Sequence, residues 1–168
     1  MATGDIKLVY GTAADVTITL NALAASSTLV AGQESTAIDN TSTLALDYLI
    51  SGKVVTHATI TAGGRIEVWV VASWDGTTYP DVFDGTDSVE TITNLNIKNT
   101  ICRLVASMAV DVTGTYHFAG VSIASIFGGT VPPKFVFFVT HNTHATNTLE
   151  ASTTHKIRVQ PVYENVSA

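Results

Sequence analysis

The segment DGTTYPDVFDGTDSVE contains the densest group of side chains able to do chemistry. Five carboxylates lie in it with no lysine or arginine between them: Asp75, Asp81, Asp84, Asp87 and Glu90. Several carboxylates on one loop can bind Ca²⁺, a hard cation that prefers oxygen ligands. Their spacing differs from that of the D-x-[DN]-x-[DN]-G calcium loop, and Asp-Gly pairs commonly form turns. The pattern therefore favours a solvated turn over a metal site.

Histidine is the other candidate for metal ligation. His141 and His144 lie three residues apart, His155 follows, and His57 and His117 fall in predicted strands. A His-x-x-His pair with a third histidine can bind zinc. No cysteine lies near these residues to complete a tetrahedral set, so hydrogen bonding in a loop or at a subunit interface is the favoured interpretation.

Motifs for covalent catalysis are absent from the sequence. There is no G-x-S-x-G nucleophile elbow, and with 14 acidic residues any proposed pair of catalytic carboxylates lacks specificity. The single cysteine, Cys102, lies in the apolar segment ICRLVASMAV, which predicts a buried thiol without a disulfide partner. We predict a protein that is not an enzyme and that has no catalytic residues, metal or cofactor.

Aromatic residues cluster between Trp69 and Phe83. Trp74 shares a strand face with Ile66 and is predicted to lie in the core, whereas Trp69 lies on the opposite face. Tyr79 and Phe83 fall in the acidic segment, which we expect to project from the sheet. There they either contact a partner or a sugar, or are buried where the loop folds back.

These candidates must be positioned by β-strands, because the chain alternates apolar and polar residues with a period of two. Arg65–Trp74 is the clearest case, and Gly-containing turn candidates occur at Ser51-Gly52, Ala62–Gly64 and Thr113-Gly114. Regular turns and the lack of crossover helices predict an all-β antiparallel sandwich, with a jelly roll as the favoured topology. The predicted strands are Leu44–Ile50, Lys53–Thr61, Arg65–Trp74, Val89–Ile92, Ile101–Val110, Thr115–Ile123, Lys134–Thr140 and His155–Tyr163.

The first forty residues differ from the remainder of the chain. Two short strands are predicted, Ile6–Tyr10 and Val16–Leu20, and Asn21–Asn40 is rich in Ala, Ser, Thr and Gly with weak periodicity. We therefore divide the chain into an N-terminal arm with short strands, residues 1–40, and a sandwich domain, residues 41–168.

Composition restricts the class of partner. The chain is 46% hydrophobic and 13% charged, with a mean hydropathy of +0.32 and a net charge of −6. Its eight basic residues form no stripe that could neutralise phosphates, so nucleic-acid binding is not expected. No apolar run approaches the length of a membrane span, and the N-terminus lacks a secretory signal, which predicts synthesis in a cytoplasm. The surplus apolar surface predicts burial against other copies or a partner protein, although a thick core between two sheets could absorb much of it.

Three segments resemble small virion proteins of tailed bacteriophages: Thr41–Asp81, Cys102–Val110 and Pro132–Val166. The resemblance rests on the general character of the strands and not on an invariant motif. It implies a jelly-roll-like sandwich, made in the host cytoplasm, that decorates or cements the capsid exterior, with the major capsid protein as partner and a homotrimer as the assembled form. A phage tail or fibre subunit remains an alternative. So does a carbohydrate-binding module with Trp69, Tyr79 and Phe83 as its stacking platform.

Seven residues are predicted to contact a partner. They come from the N-terminal strand, from the acidic loop and from the stiff segment FGGTVPP, where paired glycines precede paired prolines. They are Ile6, Leu8, Tyr10, Tyr79, Phe83, Val131 and Pro132.

Overall fold

The computed structural model describes residues 6–144, 146–152 and 154–166. Strands dominate it, and three short helices interrupt them. The helices are α1 (Asn40–Thr43), α2 (Leu95–Ile101) and α3 (Ile123–Ile126). The strands are β1 (Ile6–Tyr10), β2 (Ala14–Asp15), β3 (Ala31–Glu34), β4 (Ile38–Asp39), β5 (Asp47–Val55), β6 (Gly64–Ser73), β7 (Val89–Thr91), β8 (Cys102–Val110), β9 (Thr115–Ser122), β10 (Lys134–His141) and β11 (Lys156–Val166).

Two antiparallel sheets make up the fold. Sheet A has the order β1-β11-β5-β9, with β2 also paired to β11. Sheet B has the order β7-β3-β10-β6-β8, with β4 also paired to β10. The set β1-β11-β5-β9 facing β3-β10-β6-β8 has the strand order of a jelly roll. The predicted all-β antiparallel sandwich is confirmed.

The main core lies between the two sheets. Alternate residues of β6, from Ile66 to Val70, and of β10, from Phe135 to Val139, are fully buried there. Tyr48 of β5 meets the ring of Phe135 edge-on, with the centroids 5.4 Å apart. The period-two pattern predicted for Arg65–Trp74 therefore places Ile66, Val68 and Val70 inside the sandwich, as expected.

A second core covers the outer face of sheet B. Val71 and Phe138 project from that face and are covered by Phe83 and Ile92 from the excursion between β6 and β8. Phe83 and Phe138 pack edge-to-face at 5.5 Å. Sheet B is therefore buried on both faces over much of its width, which explains the nearly continuous apolar run in β10.

The first forty residues are part of both sheets. β1 forms one edge of sheet A, and β3 lies between β7 and β10 in sheet B. Residue 40 is therefore not a boundary between an arm and a separate sandwich. Residues 16–20 lie outside any strand, so the predicted strand Val16–Leu20 is wrong. The strand at this point is the two-residue β2.

The turn predicted at Ser51-Gly52 is also wrong. β5 runs without interruption from Asp47 to Val55 and joins parts of the two predicted strands Leu44–Ile50 and Lys53–Thr61, while residues 56–61 lie outside any strand. The reason for Gly52 is close packing: a Cβ there would lie 2.7 Å from the Phe118 ring. A register shift against β9 occurs at the same place.

Helix α2 was not predicted by the strand pattern. Asn94 caps it, since its side-chain Oδ1 accepts a hydrogen bond from the Ile97 backbone N–H at 3.0 Å. The helix carries Lys98 onto the outer face of sheet B, where its ammonium donates to Glu67.

Candidate functional site

The first candidate site is the outer edge of sheet A. Ile6, Leu8 and Tyr10 of β1 are 66%, 64% and 59% exposed. We call the exposed side chains of Ile6, Leu8 and Tyr10 the β1 patch. It is an accumulation of large apolar side chains at the end of one sheet.

The backbone of β1 is also free to pair on one side. The strand is bonded to β11 along its full length, and within the described residues no strand pairs with its other edge. The remaining edge strands are protected by ordinary means: β7 is only three residues long, and the pairings of β8 and β9 contain register shifts. β1 has no bulge, and Lys7 is its one charged residue.

Two of the three charged residues of β11, Lys156 and Arg158, lie near β2, and the third, Glu164, is the register partner of Leu8. Asp15 of β2 accepts from Lys156 at 2.6 Å and pairs with Arg158 at 2.7 Å. The hydrogen bond from Lys156, aided by the charge of Arg158, holds the pKa of the Asp15 carboxyl below its usual range. The outer side of sheet A therefore has an ionic region near β2, whereas the β1 patch borders the single carboxylate of Glu164.

The other predicted contact residues are buried or, in the case of Tyr79, half-buried. Phe83 is 5% exposed and belongs to the second core, and Val131 and Pro132 are buried beside the main core. The Tyr79 hydroxyl is buried without a hydrogen-bond partner among the described residues, and burial raises its pKa to about 12. The acidic loop folds back onto sheet B, so Phe83 cannot act as an outer contact in this conformation.

Of the two tryptophans, Trp69 lies on the predicted face of the strand and Trp74 does not lie in the predicted core. Trp74, predicted to be core, is 57% exposed and packs edge-to-face on Phe127 at 5.6 Å. The prediction is wrong because β6 ends at Ser73, so the alternation no longer determines the side of residue 74. Trp69 lies on the face opposite Val68 and Val70, as expected, and is half-buried.

The aspartates of the acidic loop organise its backbone. Asp75 accepts hydrogen bonds from the backbone N–H groups of Thr77 and Thr78, which hold its pKa well below the usual range. Asp81 accepts from Thr93, and Asp87 accepts from Gln33 at 2.6 Å. Across the described ranges no three His, Cys, Asp or Glu side chains converge as metal ligands would.

Glu34 is a buried carboxyl beneath this loop. Its side chain accepts the Gly85 backbone N–H at 2.7 Å, and it is fully buried. Burial raises the pKa of Glu34 to about 7, against the opposing effect of the hydrogen bonds from Gly85 and Asp84. The group therefore titrates near neutral pH in the folded chain.

The histidines serve local hydrogen bonds. His141 is fully buried, and its Nε2 lies 2.9 Å from the carbonyl of Leu23 while its Nδ1 lies 3.0 Å from Thr143 Oγ1. Since a carbonyl only accepts, Nε2 carries the proton and Nδ1 accepts from the hydroxyl. Burial lowers the pKa of His141, and it lowers that of His155 as well.

The second candidate site is a groove of about 660 Å³ on the outer face of sheet B. Its floor includes Glu67 and Trp69 of β6, and Lys98 enters from α2. The loop before β3, residues 27–30, forms one wall, and Leu104 and Ser107 of β8 form another. We call this feature the sheet B groove.

A hydrogen-bonded network fixes the floor of the sheet B groove. The Lys98 ammonium donates to Glu67 Oε2 at 2.9 Å and to the Leu29 carbonyl at 2.8 Å, and it lies 4.7 Å from the centroid of the Trp69 ring. The Trp69 indole N–H donates to the same Glu67 oxygen at 2.9 Å. Arg65 approaches the other oxygen at 3.2 Å. The network is rigid because every member is held by another.

Sequence reasoning missed the sheet B groove because its members come from distant segments. Glu67 and Trp69 are two residues apart on one strand face, which was a visible signal. Lys98 lies in the polar run NIKN, where nothing indicated that its ammonium is buried.

No protein-family model and no curated protein matches the chain. In the part of the chain that the structure describes, no helix is long and apolar enough to cross a membrane.

Proposed function

We propose that the protein is a structural component of a tailed-phage particle, attached to the capsid exterior as a head decoration or cement protein. The observation that supports this most strongly is the β1 patch on a strand whose outer edge pairs with no other strand among the described residues. Large exposed apolar side chains beside unpaired backbone groups are typical of a strand that docks against another chain. The resemblance of three segments to phage virion proteins supports the same class.

Binding alone accounts for the proposed activity. Burying Ile6, Leu8 and Tyr10 against the major capsid protein would remove apolar surface from water and add a strand partner for β1. Each contact that forms only on the closed shell stabilises that shell relative to its opened form. Three copies around a three-fold position would multiply weak contacts into firm attachment.

The orientation follows from the architecture. β1 belongs to sheet A, whereas the acidic loop and the sheet B groove lie on the outer face of sheet B. A chain attached through the β1 patch would present its acidic loop to solution.

The test is to add the purified protein to phage shells assembled without it and to image the product. We expect new density on the outer surface of the head at regular lattice positions. Density on the tail instead would favour the tail-subunit alternative, and a particle without added density would reject both.

A further inference from the structure

The sheet B groove carries an excess of positive charge in an acidic protein. The chain has a net charge of −6. The charged residues lining the sheet B groove are two cations, Arg65 and Lys98, and one carboxylate, Glu67. An anionic group is therefore attracted to the sheet B groove, whereas the molecule as a whole repels it.

Arg65 is positioned to receive that anionic group. Its side chain is 54% exposed, and its Nε is held 3.2 Å from Glu67 Oε1. Among the described residues its terminal amino groups have no hydrogen-bond partner, so they remain available to a ligand. A planar guanidinium binds a carboxylate through two parallel hydrogen bonds.

The remaining lining suits a polyhydroxylated molecule. The Oδ1 atoms of Asn94 and Asn142 accept backbone N–H groups, which leaves both amide NH₂ groups as donors. Asn99 and Ser107 add further polar groups. Many neutral donors and acceptors beside one cation match the hydroxyl and ring oxygens of a sugar.

Apolar surface completes the sheet B groove. Leu95 and Leu104 expose nearly half of their surface at its rim, and the half-buried Trp69 is part of its floor. The C–H faces of a pyranose ring pack on such side chains. The volume of about 660 Å³ falls within the roughly 300–1,000 Å³ typical of small-molecule sites.

We propose that the sheet B groove binds a saccharide that carries a carboxylate, such as a uronic or sialic acid unit of a surface glycan. The carboxylate pairs with Arg65, the hydroxyl groups bond to the asparagine amides, and the ring packs against Trp69 and Leu104. That the sheet B groove faces solution rests on the proposed function. The chemistry of its lining does not depend on that orientation.

The test is an NMR titration of the full-length ¹⁵N-labelled protein. The probes are tri-galacturonic acid and sialyllactose, each with a neutral counterpart, carboxyl-reduced trisaccharide and lactose. The chain has two tryptophans, and only Trp69 lines the sheet B groove. We expect at least one acidic probe to move the Trp69 indole N–H resonance at millimolar concentration, with Trp74 unmoved and with weaker binding of the neutral counterparts.

Paired arginine variants provide the second measurement. Arg65→Gln should weaken binding of the acidic saccharide by about tenfold, because one charge-assisted pair is lost. Arg158→Gln is the matched control, since Arg158 is also half-exposed and held through its Nε to a carboxylate. It should change the affinity less than twofold.

Four results would overturn the proposal. They are an unmoved Trp69 resonance with both acidic probes, equal binding of acidic and neutral probes, equal losses in the two arginine variants, and tighter binding of an acidic hexapeptide than of either saccharide. Should Arg65→Gln fail to fold, the wild-type titration still decides. The titration uses free protein, so failure of shell attachment and failure of saccharide binding are distinguishable.

Discussion

An ion pair with both members buried distinguishes the sheet B groove from the other described parts of the molecule. Lys98 and Glu67 are both buried, and transferring two charged groups from water into a protein is costly. Their mutual hydrogen bond, the Leu29 carbonyl and the Trp69 ring offset that cost. The net contribution of such a pair to stability is smaller than the cost of removing one member, because the other member would stay buried without its partner. The effect of changing one member should therefore depend strongly on whether the other is present.

Lys98→Met tests this dependence. The variant should lower the free energy of unfolding by about 3 kcal/mol, because Glu67 loses its closest cation while remaining buried. Adding Glu67→Gln should recover at least about 1 kcal/mol relative to the sum of the single changes, since Gln keeps an acceptor for the Trp69 indole. Urea unfolding of the four proteins measures the coupling.

Strict additivity in that cycle would contradict the network. The exposed Lys156–Asp15 pair provides the comparison, since water screens it and coupling there should be smaller.

Glu34 predicts a dependence of stability on pH. Its pKa is raised in the folded chain to about 7 from an ordinary 4.5, so the unfolded chain releases this proton first. The contribution of the protonated Glu34 carboxyl to folding stability is therefore complete below pH 4.5 and is lost as the pH rises through 7. Glu34→Gln should be more stable than wild type at pH 8, by on the order of 2 kcal/mol, with a small difference at pH 5.

Thermal unfolding of wild type and Glu34→Gln at both pH values measures this effect. At each pH the stability of wild type is subtracted from that of Glu34→Gln. The subtraction cancels the contributions of other titrating groups, including His141, whose lowered pKa makes stability rise with pH. An equal difference at pH 5 and pH 8 would show that Glu34 is not the titrating group.

The strands differ in how visible they are in the sequence. β6, β8, β10 and β11 were predicted to within a few residues because apolar residues alternate in them or run continuously. β3, with the sequence AGQE, was not predicted, although Gln33 and Glu34 are buried in it. Their burial depends on hydrogen bonds to Asp87 and Gly85, and such tertiary partners leave no local pattern.

The candidate sites divide in the same way. The strand that carries the β1 patch was predicted from the short segment Ile6–Tyr10, whereas its place at the edge of sheet A was not. The burial of Phe83 and the network of Glu67 and Lys98 required knowledge of how the excursion after β6 packs on sheet B. No periodicity within one segment contains that information.

Close packing of β3 provides a prediction about that strand. A Cβ on Gly32 would lie 2.3 Å from the Val139 carbonyl oxygen and 2.7 Å from the Phe138 ring. Gly32→Ala should therefore cost ~2–3 kcal/mol of unfolding free energy, as overpacking in a buried strand does. Chemical denaturation measures it.

Gly63→Ala is the comparison for Gly32. A Cβ at Gly63 meets nothing within 4 Å, but its φ of +85° is strained for alanine. The expected cost is about 1 kcal/mol. A Gly32 variant as stable as the Gly63 variant would mean that β3 packs less closely on β10 than described.

The molecule as a whole presents two unlike sides. Sheet A carries the β1 patch on its edge strand β1, and sheet B carries a covering layer with a polar groove. A jelly roll of this kind can dock through one side and remain accessible on the other. The surplus of apolar residues noted in the sequence is partly explained by the second core. Exposed large apolar side chains remain on β1 and at separate positions on other elements, among them Leu44, Trp74, Val89 and Val112.

Co-sedimentation with shells lacking the protein tests attachment through β1 most directly. The variant Leu8→Lys places a charge in the β1 patch opposite Glu164, a neighbour that favours folding. Val89→Lys is the control, because Val89 is equally exposed but lies on sheet B. We predict that wild type and Val89→Lys sediment with the shells and that Leu8→Lys stays in the supernatant. Retention of a folded Leu8→Lys on the shells would contradict attachment through the β1 patch.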